Sequence, residues 1–346
     1  FKLVHILFHR EIIEVATFRG NDNLDSRQET NERGMLVRDN NFGSLDEDAW
    51  RRDFTINSLY YNIDDSSIID FTGGVSDVEQ KLIRMIGDPV TRYTEVSVQA
   101  VGGIRFSAKL HFNLAHETEK PFPQISHLIT HVSNSRLFDE VTKLYQCGEA
   151  ETVQKLLIRY GLFEHLCPLT SSLLKSEYPV NALLGIALEN TDRRIQDEKP
   201  VTPAFIFAVL LWFPMIERSK QLQESGLDPL PAIEKAMSLV LAEQVKIISI
   251  PKRYTQVIRE IWLLQYRFSK RLGGRAFNLL HHPRFRAAYD FMALRALAGD
   301  EAMETAQWWT TFQEVDELEQ EKMVALLSAA SPKKPRRKRK PKPISE

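Results

Sequence analysis

The amino-acid sequence predicts an α+β protein whose strands lie in the first part of the chain and whose remainder is all helical. Runs rich in β-branched and aromatic residues fall within residues 1–90, whereas apolar residues recur at helical spacing from Arg136 onward. The 346 residues are 43% hydrophobic and 26% charged, the composition of a globular protein with room for two or three domains.

The strand-rich part begins with two runs, residues 1–8 and 11–18, which are separated by His9 and Arg10 and predict a β-hairpin. Two strands alone bury too little surface to be stable, so we expect this hairpin to belong to a larger sheet that begins upstream. Residues 67–71, followed by Gly73-Gly74, predict a short strand and a turn. Residues 20–41 are polar and predict a long mobile loop over a site.

The helical part is predicted from apolar spacing in residues 137–144, 150–160, 247–262, 285–297 and 302–327. The apolar stretch 203–216 is shorter than the ~20 residues that cross a bilayer, so it predicts one buried helix and no membrane partner. Cys147 and Cys167 lack metal-ligand spacing, which predicts two free thiols in a cytoplasmic protein.

Four regions follow from these patterns: a strand-rich region over 1–90, a helical region over 91–165, a second helical region over 166–328, and a disordered basic tail over 329–346. The tail cations predict salt-dependent contacts with RNA phosphates, and a purely solubilising role is the alternative. They are Lys333, Lys334, Arg336, Arg337, Lys338, Arg339, Lys340 and Lys342.

The most informative motif is D-x-x-R-R-D-F-T-x-N-S, which begins at Asp48 and ends at Ser58. Two adjacent guanidinium groups, Arg51 and Arg52, can clamp triphosphate oxygens through charge-assisted hydrogen bonds, while Asp53 can orient an arginine or help to place a metal. A solvated ion-pair cluster is the alternative for an isolated Arg-Arg-Asp, but here the pattern extends over many positions of mixed chemistry.

This motif resembles that of the class II nucleotidyltransferases, which comprise bacterial poly(A) polymerases and CCA-adding tRNA nucleotidyltransferases. The similarity continues through Arg136-Leu137-Phe138-Asp139-Glu140 and through residues 250–253 and 282–296, which with the basic tail favour the poly(A) polymerase branch. The resemblance implies that residues 1–90 are part of a polymerase-β-like head, that residues 91–165 are a helical neck, and that residues 166–328 are a helical body and tail. We expect a monomer. The resemblance also implies template-independent addition of AMP from ATP to RNA 3′ ends with Mg²⁺.

The resemblance also assigns site residues. It places Asp53 and Glu14 in catalysis, with Glu14 additionally a metal ligand. It assigns nucleotide binding to Arg51, Arg52, Asn57, Arg92 and Arg105.

The sequence departs from the family pattern in two places. The family's Gly-Gly-x-x-Arg-Asp loop and its metal-binding D-x-D strand are expected upstream of Phe1, so we expect these 346 residues to be inactive on their own. Val96 and Gln99 stand where the family has a base-reading Asp and Arg, which predicts poor nucleobase selection. Gly102-Gly103 replaces helix-forming residues, which predicts a cost of about 1 kcal/mol each in a helix interior.

Three alternatives stay open at this point. The chain could be a CCA-adding enzyme or a non-catalytic RNA-binding pseudoenzyme. The block from Val96 to Gly103 could instead reflect a local reading-frame change, which resequencing of the encoding DNA would test.

Overall fold

The computed structural model describes residues 3–9, 11–20 and 42–330, without the side chain of Ala330. The chain divides into two compact units between Thr255 and Gln256. Most of the predicted loop, residues 21–41, and the basic tail lie outside the described residues.

The described residues contain six short strands, all in the first unit, which form three two-stranded sheets. β1 pairs antiparallel with β2 in the predicted hairpin, β3 pairs antiparallel with β4, and β5 pairs parallel with β6. Strand pairing thus extends beyond the first 90 residues. The strands are β1 Leu3–Phe8, β2 Glu11–Ala16, β3 Leu59–Tyr61, β4 Ile68–Asp70, β5 Leu82–Ile83 and β6 Asn113–Leu114.

Helices make up most of both units, which confirms the predicted α+β head and helical remainder. In the first unit they are α1 Leu45–Arg51, α2 Gly74–Glu79, α3 Pro89–Glu95, α4 Val98–Leu110, α5 His116–Glu119, α6 Phe122–Ile125, α7 Asn134–Tyr145, α8 Ala150–Arg159, α9 Phe163–Leu166, α10 Pro168–Ser171, α11 Val180–Gln196, α12 Pro203–Leu210, α13 Trp212–Glu224 and α14 Pro229–Val245, with 3-10 turns at Thr55–Asn57 and Ser126–His131. α15 Lys252–Phe268 crosses the boundary, and α16 Gly274–Leu280, α17 Phe285–Leu297, α18 Met303–Glu314 and α19 Glu317–Ala330 follow.

The prediction of one buried helix over residues 203–216 is wrong, because the segment forms α12 and the start of α13 with a break at Leu211. Pro214 has no N–H to donate to the carbonyl of Leu210 four residues earlier. The hydroxyl of Thr170 donates to that carbonyl instead, at 2.7 Å. The segment is nevertheless buried, as expected.

Two other predicted helices have different bounds. α15 begins at Lys252 rather than near residue 247, because Pro251 disfavours helical geometry in the residue before it. The 302–327 segment is two helices, since Val315 is extended at the end of α18. The carboxylate of Asp316 then accepts the backbone N–H of Glu319 at 2.9 Å and so caps the start of α19.

Each unit has its own apolar core. In the second unit the indole of Trp309 is fully buried and donates to the carbonyl of Phe268 at 3.0 Å, so its polar atom is satisfied.

In the first unit Cys147 and Cys167 are free thiols, and burial raises the pKa of Cys167 to about 12. None of the helices in the described part of the chain is long and apolar enough to cross a membrane.

Candidate nucleotide-binding site

A cavity of about 440 Å³ lies beside the hairpin, at the end of α1. It brings together three residues that the sequence analysis assigned to the site, Glu14, Arg51 and Arg52. Its full lining is Leu3, Glu14, Ala16, Thr17, Arg19, Asp48, Arg51 and Arg52. Of the other assigned residues that the structure describes, Asp53, Asn57, Arg92 and Arg105 do not line this cavity.

α1 carries the motif into the cavity. The helix begins with a capping box, in which Ser44 and Glu47 satisfy each other's backbone N–H groups, and it ends at Arg51. Arg52 is extended, which redirects the chain into the 3-10 turn after Phe54. The two arginines of the motif therefore sit at a helix end, where the backbone changes direction.

Asp53 fixes the turn that follows. Its Oδ1 accepts the backbone N–H of Phe54 at 2.8 Å and the side-chain amide of Asn57 at 3.0 Å. Asn57 thus contacts Asp53, and the two assigned residues act together in this structure by holding the backbone after the arginine pair.

Asp48 is the centre of the site and was absent from the assigned residues. Its side chain is almost completely buried, and Oδ2 accepts hydrogen bonds from Arg52 Nη2 at 2.9 Å, Arg52 Nε at 3.1 Å and the Tyr60 hydroxyl at 2.6 Å. Oδ1 accepts the backbone N–H of Arg19, just after β2, at 3.0 Å. One carboxylate therefore joins α1, β3 and the hairpin, and it holds the guanidinium of Arg52 in a fixed orientation.

The hydrogen bonds at Asp48 have electrostatic consequences. Burial by itself would raise the pKa of Asp48, but hydrogen bonds from Tyr60, Arg19 and Arg52 lower that pKa below its ordinary value. Burial and the bond to Asp48 raise the pKa of Tyr60 to about 12. At neutral pH the centre is thus an ionised carboxylate between a guanidinium and a neutral phenol. The four-residue spacing of Asp48 on α1 and Arg52 directly after it was the sequence signal for this pair.

Arg92 acts on the motif from α3. Its Nη2 donates to the backbone carbonyls of Arg51, at 2.9 Å, and Arg52, at 2.5 Å. Because these are the last carbonyls of α1 and its cap, Arg92 complements the negative end of that helix. In this structure Arg92 positions the arginine pair.

Arg105 lies on α4 with its guanidinium carbon 4.3 Å from the centroid of the Phe106 ring.

The segment that departs from the family pattern joins two helices. Val96 caps the end of α3, and Gln99 lies in the first turn of α4 with its side-chain oxygen buried and without a hydrogen-bond partner among the described residues. Gly103 is buried against the ring of Phe54, so close that a Cβ at this position would lie 3.0 Å from Phe54 Cζ. Glycine at position 103 therefore lets α4 pack closely against Phe54 of the motif.

The described residues do not supply a complete magnesium site. Glu14 is exposed and lies 3.5 Å from His5 Nε2 on the paired strand, and no group of three His, Cys, Asp or Glu residues within the described ranges is arranged around a common point. The sequence contains a D-x-D, Asp46-Glu47-Asp48, but it lies on α1, where residues two apart do not face each other, and Asp48 already accepts hydrogen bonds on both oxygens. Metal binding by Glu14 stays a prediction.

Family comparisons cover most of the chain. Residues 1–84 match the poly A polymerase head domain, residues 111–174 match the probable RNA and SrmB-binding site of polymerase A, and residues 225–343 match the polymerase A arginine-rich C-terminus. Poly(A) polymerase I of Salmonella typhi is 44% identical in a 322-residue alignment that covers 90% of this chain and 69% of that protein. This chain belongs to the poly(A) polymerase I family.

Other relatives agree with that membership. Poly(A) polymerase I of Haemophilus influenzae is 41% identical over 90% of this chain and 71% of its own length. The CCA-adding enzyme of Bacillus subtilis is 34% identical, but over only 46% of this chain and 39% of its own length. The predicted preference for the poly(A) polymerase branch is confirmed, as is membership of a nucleotidyltransferase enzyme family.

Solved structures show the same fold as this member of the poly(A) polymerase I family. The Bacillus stearothermophilus CCA-adding enzyme in complex with CTP has a TM-score of 0.55 at 20% identity, covering 96% of this chain and 73% of that one. A tRNA-processing enzyme complex has a TM-score of 0.57, also at 20% identity, covering 94% of this chain and 80% of that one. The predicted RNA contacts of residues 333–342 lie outside the described residues.

Proposed function

We propose that this chain acts in RNA polyadenylation, in which AMP from ATP is added to RNA 3′ ends, and that the cavity at the end of α1 binds the triphosphate of ATP. The observation that carries the proposal is the placement of Arg51 and Arg52 in one cavity, within a chain 44% identical to Poly(A) polymerase I over nearly its whole length. RNA and ATP are the expected partners. Mg²⁺ would neutralise the triphosphate when bound in a complete family site.

The chain's own residues supply orientation and positive charge. Arg52 is half-exposed, so its guanidinium can contact a ligand while Asp48 restricts its rotation. A fixed guanidinium loses less conformational entropy on binding than a free side chain does. Arg92 holds the backbone carbonyls of Arg51 and Arg52, so both members of the pair start from a defined position.

One observation favours a second candidate, a chain that binds nucleotide and RNA without transferring AMP. Val96 offers no side-chain hydrogen bond, and Gln99 replaces the arginine that the family pattern predicts. We therefore expect the cavity to bind ATP and CTP with similar affinity, because a triphosphate clamp contacts what the two nucleotides share.

The test is nucleotide binding by the purified 346-residue chain, measured by calorimetry with ATP and with CTP. Arg52→Gln is expected to weaken ATP binding at least tenfold, since a charge-assisted contact contributes about 1.5–3 kcal/mol. The matched control is Arg193→Gln on α11, because Arg193 also pairs with an acidic residue four positions earlier, Glu189 at 3.1 Å. Equal ATP affinity in both variants would show that the Arg51-Arg52 pair is structural.

Primer extension separates the two candidate functions. With ATP, Mg²⁺ and an RNA primer we expect no extension by these 346 residues, because the sequence has no Gly-Gly-x-x-Arg-Asp loop and its D-x-D lies on a helix. Steady adenylate incorporation by contaminant-free protein would refute that expectation and exclude the non-catalytic candidate. Incorporation of CMP before AMP on a tRNA primer would instead indicate CCA addition.

A further inference from the structure

The second unit contains a stretch of sequence without acidic residues. Between Glu260 and Asp290 there is no aspartate or glutamate. The same stretch holds six cations, which are Arg267, Lys270, Arg271, Arg275, Arg284 and Arg286. Charge of one sign on a folded surface repels itself, so such a stretch is either neutralised by neighbours or offered to a polyanion.

Two of the six cations are neutralised at the ends of the stretch. Arg284 Nε lies 2.9 Å from the carboxylate of Glu260, and Arg286 Nη2 lies 3.0 Å from that of Asp290. Each of these two positive charges therefore has a carboxylate partner. The pair can serve as a control for the other four cations.

The remaining cations cluster where α15 ends and α16 begins, a region we call the α15–α16 corner, comprising Arg267, Lys270, Arg271 and Arg275 together with Tyr266. Within the part of the chain that the structure describes, none of these four cations forms an ion pair. Arg267, Lys270 and Arg275 are exposed, and Arg271 is half-buried. Four positive charges thus lie within residues 267–275, each without an ion-pair partner among the described residues.

Aromatic rings lie against two of these cations. Lys270 Nζ is 4.1 Å from the centroid of the Tyr266 ring, and the guanidinium carbon of Arg271 is 5.4 Å from that of Trp308. Trp308 in turn stacks on Phe312 with centroids 4.6 Å apart, which ties the corner to the fully buried core of the unit. Tyr266 is 38% exposed, so part of its ring is open to a ligand.

We propose that the α15–α16 corner is a binding surface for single-stranded RNA, in addition to the basic tail, with its cations on phosphates and Tyr266 stacking on a base. Surfaces that bind single strands without sequence preference combine positive charge along the backbone with aromatic rings under the bases. The corner carries both features. The choice of RNA as the polyanion rests on the proposed role in polyadenylation, whereas an acidic protein would not need an exposed aromatic ring.

The test compares two double variants of the full chain with the same change in net charge. Lys270→Gln/Arg275→Gln removes two unpaired cations and leaves Arg271 in place against Trp308. Arg284→Gln/Arg286→Gln removes two paired ones. Binding of a fluorescently labelled oligo(A) is measured by anisotropy over a salt series, without nucleotide, so that the outcome does not depend on the ATP site.

The corner variant is expected to flatten the slope of log affinity against log salt by about 1.4, which is about 0.7 for each lost phosphate contact to a single strand. The paired variant is expected to leave the slope nearly unchanged. Equal slopes in the two variants would overturn the proposal. So would a loss of affinity in the corner variant for a glutamate-rich peptide but not for oligo(A), because the surface would then bind an acidic protein.

A third variant tests stacking separately from charge. Tyr266→Leu is expected to weaken oligo(A) binding about fivefold or more at every salt concentration without changing the slope, since a stacked base contributes at least about 1 kcal/mol. Unchanged affinity would remove the aromatic part of the proposal. Deleting residues 333–346 should flatten the slope independently, and the tail and corner effects should add if both contact RNA.

Discussion

Two cationic regions within the described residues hold their positive charges in opposite ways. At the end of α1, Arg52 is bound through two nitrogens to the buried carboxylate of Asp48, and Arg92 is bound to two backbone carbonyls. At the α15–α16 corner, Lys270 and Arg271 lie against aromatic rings and have no carboxylate partner among the described residues. The first arrangement fixes geometry, and the second leaves net charge available.

This difference matches the ligands that the two regions are proposed to bind. A triphosphate is small, and its oxygens have defined positions, so a clamp benefits from arginines that are already oriented. A single RNA strand is long and flexible, and its affinity comes from counterion release, which depends on unmatched charge more than on exact orientation. Substituting the partners of the cations should therefore change ligand affinity strongly in the cavity at the end of α1 and only slightly at the α15–α16 corner.

The largest expected effect is that of Asp48→Ala. It leaves Arg52, Tyr60 and the backbone N–H of Arg19 without their shared acceptor, and we expect unfolding free energy to fall by about 2–3 kcal/mol. This value is below that for a fully buried pair because Arg52 is half-exposed. Urea unfolding monitored by circular dichroism measures it, and calorimetry should show weaker ATP binding in the same variant.

Glu189→Ala is the control for Asp48→Ala, because Glu189 and Arg193 have the same four-residue spacing on an exposed surface. There we expect a change of no more than about 0.5 kcal/mol. If the two substitutions cost the same free energy, the carboxylate of Asp48 is an ordinary surface partner, and the contrast between fixed and free cations fails.

The sequence predicted the chemistry of the cavity at the end of α1 better than its geometry. The Arg-Arg-Asp string and the hairpin could be predicted because both are local patterns, and the structure brings Glu14, Arg51 and Arg52 into one cavity. The contact from Arg92 to the backbone joins residues some 40 positions apart, and no local pattern predicts such a pairing. Asp48 was named only as the first letter of the motif, since an acid four residues before an arginine is usually a surface pair.

The helical region shows the same limit. Apolar spacing located the helices but did not predict their ends, because a carbonyl left free by Pro214 is satisfied by Thr170 from a different helix. The α15–α16 corner, in contrast, could have been found from the sequence. Absence of acidic residues between Glu260 and Asp290 is visible without a structure, although which of the six cations are neutralised is not.

A smaller effect is expected for Tyr60→Phe, which removes one of the hydrogen bonds to Asp48. We expect a loss of about 1 kcal/mol in unfolding free energy at neutral pH, with the oligo(A) salt slope unchanged. Urea unfolding of this variant and of the unmodified chain, at pH 8 and at several values above pH 10, provides the measurement.

The pH dependence of this loss follows from the raised pKa of Tyr60. The folded value is about 12, whereas an unfolded tyrosine titrates near about 10. A raised folded pKa gives a stabilisation that is complete below the unfolded value and is lost as pH rises toward the folded one. The difference between the two proteins should therefore be constant up to about pH 10 and shrink above it. A difference that grows with pH would contradict the assigned hydrogen bond.

The smallest effects concern two neighbouring glycines on α4, of which Gly103 lies closer than Gly102 to the ring of Phe54. At Gly102 a new Cβ would lie 3.8 Å from Phe54 Cε2, an ordinary contact, so Gly102→Ala should gain up to about 1 kcal/mol from helix propensity and leave ATP binding unchanged. At Gly103 the Cβ would lie 3.0 Å from Phe54 Cζ, and the ring is fully buried, so it must move to make room.

Because Phe54 directly follows Asp53, a shift of its ring displaces the turn that holds the arginine pair. Gly103→Ala is therefore expected to lose the propensity gain to overpacking and to weaken ATP binding by a few-fold, while oligo(A) binding at the corner stays the same. Urea midpoints and ATP titrations of the two alanine variants decide between these outcomes. If both alanine variants are equally stabilised and bind ATP as the unmodified chain does, the cavity at the end of α1 tolerates movement of the Phe54 ring. Fixed geometry would then not be what distinguishes this cavity from the α15–α16 corner.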